Sequence, residues 1–473
     1  MRIVKNLLSL LVSDAVSKLV QFVALAYLAR TLGTEGLGAL NWVQSVVLMF
    51  AIVPNFGLNE YGILKVSPDR SPGNIAQVAN DVMSFRLVAG VFAALMLAGT
   101  TALVPSFRDH QGLLLAGCAL LVLSVLTFDW LYTALERQAV VGIVRSAARL
   151  LYLVAVFVFV QRADDIMAAM IVYVAGEGLF LAGVFVHARW STPWRSSFSG
   201  FHRLRSVVAG AWPMALYIAN SSVLYYVDLM ILGVLLPMSE AGLYAGMIRI
   251  VSLFISVKFL VGQLLYPKIA RRAAQTGGRS ELEGLIAVID RYGLLAGMAL
   301  VGSLALFSKE IVLAVLGAEF VSGSWVLTIL SIALFSEFGW IAYPYLLVST
   351  NSRVYTGIMV AVGLAKVCAL VLLLPVFGLV GCAVVYGASN VLVFVASMAY
   401  VRSRTVALSV TRIIVVPLAT IIGSMVLGLV LEEPLTRLAL WAVMMSVVAL
   451  VGRGLGVRYS RSRFKEDLAV INA

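Results

Sequence analysis

The sequence predicts an all-α protein that crosses a membrane many times, and three observations support this. The chain of 473 residues is 62% hydrophobic and only 12% charged, with a mean hydropathy of +1.00, which is far more apolar than a soluble fold needs. Apolar runs of about 20 residues, the length that spans a bilayer as a helix, recur along the chain. The connections between them are short, so no sizeable domain outside the membrane is expected.

The apolar runs predict about fourteen spans. The first run contains Asp14 and Lys18 and continues to Ala29 without a convincing cleavage site, so we interpret it as a retained span rather than a signal peptide. The spans are expected near residues 8–29, 37–64, 82–104, 113–135, 140–160, 166–186, 207–236, 241–267, 285–316, 325–348, 355–375, 379–400, 413–431 and 435–451.

The basic residues predict the orientation of the chain. Alternate loops hold about twenty-two Lys and Arg on one side and about five on the other, which places both termini in the cytoplasm. The net charge of +12 is therefore interpreted as a topology signal and not as a surface for nucleic acid. We therefore expect a membrane protein with many spans.

The longest polar loops predict a division into two lobes. We expect a six-helix lobe over 1–190, a basic cytoplasmic linker over 191–206, a second six-helix lobe over 207–402, two extra helices over 403–452 and a basic tail over 453–473. Residues 32–39 (LGTEGLGA) and 236–245 (LPMSEAGLYA) echo each other six spans apart. This predicts a parallel repeat around a pseudo-two-fold axis along the membrane normal, although Glu-Gly loops are also common without a repeat.

Arg145 and Arg149 are the most informative residues, because they lie one helical turn apart in the apolar stretch 139–159 and share one helix face. An arginine near the bilayer centre costs about 2.5–3.5 kcal/mol on insertion scales. A chain that keeps two arginines in such a stretch is predicted to have a water-filled, positively charged interior that accepts an anion. Arg149 carries more weight than Arg145, because it lies deeper and reaches water less easily.

Other charges in the spans leave two interpretations open. The candidate contacts to an anionic cargo also include Lys258, Arg86, Arg249 and Lys366, and the candidate coupling residues or sugar contacts are Asp129, Glu177 and Asp228. The alternative is that charges neutralise one another, in the pairs Asp14–Lys18, Asp228–Arg249 and Glu337–Lys366, or Glu177 or Asp129 with one of the two arginines. Arg86 and Arg291, near span ends, are expected to reach towards water.

Aromatic side chains in the spans are candidates for stacking on sugar rings, although Trp and Tyr gather at membrane interfaces regardless of function. They are Trp130, Tyr132, Tyr225, Tyr226, Trp340, Tyr343 and Tyr345.

Enzymatic and metal-binding motifs are lacking in the sequence. There is no GxSxG, phosphate-binding P-loop or HExxH pattern, and the three histidines and three cysteines lack ligand spacing. We therefore expect no catalytic residues, no metal, no cofactor and no enzymatic activity.

Residues 28–38 (LARTLGTEGLG) resemble the polysaccharide transporters of the Wzx type, the O-antigen and polysaccharide repeat-unit flippases of the multidrug/oligosaccharidyl-lipid/polysaccharide exporter superfamily. Further stretches fit the same family: 56–62 (FGLNEYG), 129–137 (DWLYTALER), 228–233 (DLMILG), 240–244 (EAGLY) and 375–383 (PVFGLVGCA). Asn55 departs from the family pattern, which has an acidic residue there.

The resemblance implies two six-helix lobes around a central cavity and an undecaprenyl-diphosphate-linked oligosaccharide as cargo. It implies transfer of this repeat unit from the inner to the outer leaflet by alternating access, as a step of lipopolysaccharide and polysaccharide biosynthesis. The implied partners are this glycan, membrane lipids, a polysaccharide polymerase and a chain-length regulator, with coupling to protons or sodium left open. One alternative is a multidrug or lipid II exporter of the same superfamily. Another is a membrane polysaccharide polymerase, which would be expected to carry a larger external loop than this sequence has.

Overall fold

The computed structural model describes residues 2–192, 197–274, 279–339 and 341–404, and four separate positions between 436 and 446. Within these ranges the chain is helical between its turns and contains no strand. The two extra C-terminal helices and the basic tail lie outside the described ranges. The all-α prediction is confirmed for the part of the chain that is described.

Fifteen α-helices follow one another in the described ranges. They are α1 (Arg2–Phe50), α2 (Ile52–Asn55), α3 (Leu58–Val66), α4 (Pro72–Leu103), α5 (Pro105–Arg108), α6 (Gln111–Leu123), α7 (Asp129–Ala134), α8 (Gln138–Phe159), α9 (Ile166–Ser191), α10 (Phe201–Leu235), α11 (Met238–Ala274), α12 (Arg279–Leu306), α13 (Ser308–Val315), α14 (Ser324–Gly339) and α15 (Ala342–Arg404). Short 3₁₀ turns at Ser124–Leu126 and Ala318–Gly323 precede α7 and α14.

Ten stretches in the described ranges are long and apolar enough to cross a membrane. Two of them, Val16–Val66 and Thr350–Val401, have 51 and 52 residues, which is long enough for two crossings each at 1.5 Å per residue. Gly33 interrupts the first and Gly378 the second, both with positive φ. The first twelve predicted spans therefore each have a helical counterpart, and the last two stay predictions.

The interruption at Gly33 reverses the chain. Gly33 has φ 67° and ψ −172°, a conformation that essentially only glycine adopts. Before it, the Tyr27 hydroxyl donates to the Val160 carbonyl at 2.8 Å; after it, the Trp42 ring packs edge-on against Phe107 at 5.2 Å. Those partners lie in the turns after α8 and α4, which are at the same end of the bundle because two helix reversals separate them. The first two predicted spans thus form a hairpin.

The chain forms two compact units, Met1–Ala245 (unit 1) and Gly246–Ala473 (unit 2), and the boundary falls inside α11. In unit 1, α1 packs against α8 and α10, α4 packs against α6, and α8 packs against α9. In unit 2, α12 packs against α14, which packs against α15. The lobe boundaries expected from the sequence stay predictions.

Two glycines bring the backbone of α1 against the beginning of α11. A Cβ on Gly38 would lie 1.9 Å from the Met238 carbonyl oxygen, and a Cβ on Gly242 would lie 1.8 Å from the Thr34 carbonyl oxygen. Met238 precedes Gly242 by four residues, and Thr34 precedes Gly38 by four residues. Each glycine therefore meets a carbonyl one helical turn before the other glycine, so the contact is reciprocal. The contact joins the two segments whose sequences echo each other, and the pseudo-two-fold axis stays a prediction.

Arg86 ties together two interrupted helices in the core of unit 1. One interruption lies at Phe56 and Gly57, both with positive φ, and the other lies between α6 and α7. The guanidinium donates to the Thr127 carbonyl at 2.5 Å and to the Asn59 side-chain oxygen at 2.7 Å. Backbone polar groups freed by a helix break need such partners in an apolar environment.

The expectation that Arg86 reaches towards water is wrong. Its side chain is 2% exposed, and it lies fourteen residues inside α4, which begins at Pro72. The hydropathy pattern placed the span start near residue 82, because Asn80 and Asp81 dilute the apolar signal inside the helix. Since the helix extends further, Arg86 is deeper than the pattern indicated. The side chain of Arg291 lies outside the described part of the chain.

Part of the linker between α9 and α10 is docked on α4. The Asn80 amide group donates to the Ser197 hydroxyl at 3.0 Å and accepts from the Ser197 backbone N–H at 3.0 Å. One turn further along α4, the Ser84 hydroxyl accepts from the Ser199 backbone N–H at 2.8 Å. Residues 197–199 therefore lie along the surface of α4 and are fixed to it by hydrogen bonds.

Replacing Arg86 by Ala is expected to lower the free energy of unfolding by at least about 2 kcal/mol, because two hydrogen bonds from a charged donor are lost and their acceptors stay buried. The measurement is chemical unfolding of the purified chain in mild detergent. Arg162→Ala, an exposed arginine in the turn before α9, is the control and should change stability little. Equal stability of both variants would contradict the core role of Arg86.

Gly242→Ala is expected to destabilise the chain, because its Cβ would overlap a backbone carbonyl that cannot move aside as a side-chain tip can. Gly99→Ala in the interior of α4 is the matched control, since no atom lies within 4 Å of its added Cβ. There the exchange should be neutral or stabilise by up to about 1 kcal/mol through helix propensity. Thermal unfolding of both variants measures the difference, and a Gly242→Ala chain as stable as the control would show that the contact is not required.

Candidate functional site

Arg145 and Arg149 lie on the side of helix α8 that is opposite its exposed apolar surface. An exposed apolar stripe runs along one side of this helix. It consists of Ile143, Leu150, Leu151, Val154, Phe157 and Val158. At about 100° per residue, Arg145 and Arg149 lie roughly on the opposite side, on the same side as the buried Ala148 and Tyr152. Both guanidinium groups therefore belong to the interior of unit 1.

Arg149 is ion-paired with Glu177 of α9. The Arg149 Nη2 to Glu177 Oε1 distance is 2.6 Å, and the two side chains are 19% and 21% exposed. The sequence left open whether Glu177 or Asp129 partners one of the two arginines, and in the structure Glu177 pairs with Arg149. The deeper arginine, which the sequence favoured as the cargo contact, is thus the one whose charge is balanced.

Arg145 keeps its hydrogen-bond donors available. Its guanidinium carbon lies 4.9 Å from the centre of the Phe180 ring, a cation–π contact that engages the face of the guanidinium and not its N–H groups. In the part of the chain that is described, no carboxylate lies within ion-pair distance of Arg145. The pair of arginines and Glu177 therefore carries a net positive charge centred on Arg145.

The other predicted residues of unit 1 have structural surroundings. Asp129 accepts the Trp130 backbone N–H at 2.9 Å at the beginning of α7, and its charge attracts Arg86. Asp228 is buried on α10. Arg86 donates to one backbone carbonyl and one side-chain amide oxygen, and these bonds place it in the core and not beside Arg145 and Arg149.

Unit 2 holds its own buried ion pair. Lys258 of α11 donates to Glu337 of α14, and its ammonium lies 5.6 Å from the centre of the Phe394 ring. The sequence had offered Lys366 as the partner of Glu337, and the structure pairs Glu337 with Lys258 instead, because α11 presents its lysine to the buried carboxylate.

Lys366 and Arg249 occupy different surroundings from this pair. Lys366 is buried on α15, with its ammonium 5.1 Å from the centre of the Tyr386 ring. Arg249 is exposed on α11. Lys258 is a predicted cation of unit 2 for which the structure gives a carboxylate partner, Glu337.

Sequence reasoning missed one buried acid and misjudged several aromatic residues. Asp290 of α12 is buried and accepts the Tyr343 hydroxyl at 2.7 Å; its position five residues inside the predicted ninth span was the available signal. Trp130 and Tyr132 are core residues, and Tyr132 is hydrogen-bonded to His187 at 2.6 Å. The rings of Trp130, Tyr132 and Tyr343 are therefore not presented for stacking, and Trp340 lies outside the described residues.

Within the described ranges, no group of three or more His, Cys, Asp or Glu side chains is placed to hold a metal ion. The cations described above offer guanidinium and ammonium N–H donors. A planar guanidinium can hold two phosphate oxygens at once, and Arg145 has the geometry and the available donors to do so.

Comparisons with known proteins identify two transporters with similar sequences. A putative O-antigen transporter of Escherichia coli (strain K12) is 22% identical over 416 residues, which are 85% of this chain and 97% of that protein. A putative O-antigen transporter of Shigella dysenteriae is 22% identical over 232 residues, 48% of this chain. That second match spans 57% of the Shigella protein, less than two thirds of its length.

Two solved structures share the fold. The lipid II flippase MurJ in an inward closed conformation matches with a TM-score of 0.74 and 10% identity, over 97% of this chain and 99% of that one. An inward-facing multidrug resistance transporter of the MATE family and MOP superfamily matches with a TM-score of 0.62 and 14% identity, over 82% and 94%. At these identities the likeness shows a common fold and nothing about cargo.

The family model described as "polysaccharide biosynthesis protein" matches residues 3–272, more than half of the chain. This match covers α1 to α10 and most of α11, including the hairpin at Gly33 and the arginine pair of α8. It agrees with the resemblance that the motifs indicated. The chain belongs to the polysaccharide biosynthesis protein family.

Proposed function

We propose that the chain is a flippase that moves undecaprenyl-diphosphate-linked oligosaccharide repeat units from the inner to the outer leaflet of the bacterial inner membrane. Both termini lie in the cytoplasm in this proposal, as the distribution of basic residues predicts. The observation that carries the proposal is the interior arginine pair of α8, in which Arg145 retains its hydrogen-bond donors. The names of the two O-antigen transporter relatives support the choice of cargo class.

Arg145 is the proposed primary contact of the diphosphate. Its guanidinium is held against Phe180, which fixes its plane without using its N–H groups, so little side-chain entropy is lost when the diphosphate binds. In a narrow, poorly hydrated interior the attraction between guanidinium and phosphate is much stronger than in bulk water. The polyprenyl tail remains in lipid while the headgroup moves.

Arg149 is the proposed second contact, controlled by Glu177. Glu177 balances the charge of Arg149 while the two are paired; when the pair opens, the guanidinium becomes available to the second phosphate. Opening of this pair would then be linked to cargo binding. Among Asp129, Glu177 and Asp228, only Glu177 is ion-paired with an arginine of the proposed site.

Lys258, Arg249 and Lys366 are proposed to contact the cargo at other stages of transport, whereas the bonds of Arg86 assign it to the core. Alternating access requires contacts that open and close. The reciprocal contact at Gly38 and Gly242 has no side chains to interlock, so we propose that its separation is part of the transport cycle.

The shared fold does not choose between cargoes, because one structural relative is a lipid II flippase and the other a multidrug transporter. The cationic interior of unit 1 favours an anionic cargo over a cationic one, and many drugs are cations. Lipid II and a polymerase activity are therefore tested as outcomes: the first by offering it as cargo, the second by looking for chain extension.

Arg145→Gln is expected to reduce flipping about 10- to 100-fold, the equivalent of losing a charged bidentate contact. The measurement is transfer of a fluorescent undecaprenyl-diphosphate oligosaccharide across proteoliposomes that contain the purified chain. Arg162→Gln removes the same charge outside the site and should flip normally. Normal flipping by Arg145→Gln at an unchanged amount of protein would contradict the proposal.

Arg149 and Glu177 are tested as a pair. Arg149→Gln alone leaves Glu177 without its partner and should lower both the amount of folded protein and flipping. The double variant Arg149→Gln/Glu177→Gln should recover the protein level while flipping stays below that of the unmodified chain. If the double variant recovers flipping completely, the pair is structural and Arg149 does not contact the cargo.

Exchanging the charges of Lys258 and Glu337 separates packing from cargo binding in unit 2. Lys258→Gln should lower the protein level, because it leaves a buried carboxylate unpaired. The exchanged variant Lys258→Glu/Glu337→Lys should restore the protein level without restoring flipping. The measurements are the amount of folded protein by fluorescence-detected chromatography and flipping in proteoliposomes; full recovery of flipping would remove Lys258 from the proposed site.

A further inference from the structure

A cavity at one end of unit 1 is separate from the arginine pair of α8. It has a volume of about 320 Å³ and is lined by two arginines, two hydroxyl residues and three apolar residues. The polar lining consists of Arg70, Arg137, Ser191 and Thr192. None of the seven lining residues is acidic. The size is that of a site for a small ligand, and the lining combines cations with an apolar wall.

The cavity lies where four membrane stretches begin or end. Two of these stretches begin at Pro72 and Gln138, and two end at Ala134 and Ser191. Its lining residues therefore lie at the level of the lipid headgroups, where apolar chain meets water. Next to the lining, Trp190 is 85% exposed, as is common for a tryptophan at a membrane interface.

Arg137 is held at the cavity by the way α7 ends. The Arg137 N–H donates to the Tyr132 carbonyl at 2.8 Å and the Glu136 N–H to the Thr133 carbonyl at 3.1 Å, the two bonds of a Schellman motif. Arg137 is then the N-cap residue of α8. Its guanidinium makes no ion pair or hydrogen bond to the described residues, so its donors are available.

Glu136 takes the position of this motif that usually belongs to glycine. Its φ is 58°, and the left-handed conformation costs a non-glycine residue about 1–2 kcal/mol. In return, its carboxylate binds Arg70 at 2.5 Å. Arg70 itself lies in a turn that the Asn74 side chain secures with bonds to the Lys65 and Asp69 carbonyls. Both arginines are thus held in defined positions around the cavity.

The helix ends add to the positive potential of the cavity. Pro72 is at the first position of α4, and Arg137 caps the start of α8, so the partial positive charges of two long helices lie at the cavity wall. Together with the two guanidinium groups, they outweigh the carboxylates of Glu136 and of Asp69, which accepts the Ser71 N–H at the start of α4. The cavity is therefore suited to an anion with several oxygens.

We propose that this cavity binds the phosphodiester of an anionic phospholipid headgroup. Arg137 is the main contact and Arg70 is the second. A lipid is favoured over a soluble phosphate because the cavity lies at headgroup level and because Pro72, Ile75 and Leu135 give it an apolar wall. The site is distinct from the proposed cargo site, since Arg137 lies eight residues, about 12 Å along α8, from Arg145.

The test uses the full chain purified in a neutral detergent, with thermal unfolding measured against added lipid. Short-chain phosphatidylglycerol should raise the unfolding temperature in a saturable way, because a ligand that binds only the folded state stabilises it. Short-chain phosphatidylcholine should not. Arg137→Gln should weaken the apparent affinity for phosphatidylglycerol about tenfold, and Arg70→Gln should also weaken it. Arg205→Gln, an exposed arginine of α10 outside the cavity, should leave it unchanged.

Glu136→Gln gives a readout that a purely structural role would not produce. It removes the carboxylate that binds Arg70 in the described part of the chain, so the affinity for phosphatidylglycerol should rise. Unchanged affinity in both Arg137→Gln and Glu136→Gln would overturn the site. If inorganic phosphate alone shifts the unfolding temperature as strongly as the lipid at equal concentration, the lipid assignment is overturned.

Discussion

The structure of unit 1 depends on how each charge in an apolar environment is compensated. An uncompensated charge there is costly, so nearly every one has to be paired, hydrogen-bonded or reached by water. Arg86 uses a carbonyl and an amide oxygen, Arg149 uses Glu177, and Arg145 uses the face of an aromatic ring. These three solutions differ in what they leave available: Arg86 and Arg149 commit N–H groups to protein oxygens, whereas Arg145 keeps all of its N–H groups available. The distinction between the core charges and the proposed cargo contact follows from this difference.

The helix interruptions explain why a buried arginine is needed at all. Two of the predicted spans are broken within unit 1, one at Phe56 and Gly57 and one before α7, and a broken helix exposes carbonyl groups that lipid cannot satisfy. Arg86 supplies the missing donors to one break and anchors Asn59 after the other. The charge therefore maintains an irregular backbone, which in membrane proteins is tolerated only where protein or water covers it.

Most of the fold could be predicted from the sequence, because a span is a local feature written in about twenty consecutive residues. The reversal at Gly33 and the inward face of α8 are also local, since they follow from glycine conformation and helix periodicity. The pairing of charges is not local. Whether Glu337 meets Lys258 or Lys366 depends on which side chains of α11, α14 and α15 face one another. The depth of Arg86 was misjudged for a related reason, as polar residues inside α4 concealed where that helix begins.

The two anion sites that we propose for unit 1 follow the same arrangement at different depths. In each, one arginine is neutralised by a carboxylate, Arg149 by Glu177 and Arg70 by Glu136, while its neighbour has no carboxylate partner among the described residues. At the membrane surface, water and salt weaken the attraction of Arg137 for an anion, so a bound headgroup exchanges readily. In the interior the same chemistry acts at a lower dielectric and binds more tightly. At the proposed cargo site, Arg145 and Arg149 together offer N–H donors for the oxygens of both phosphates of a diphosphate, whereas the proposed surface site has to hold only one phosphodiester.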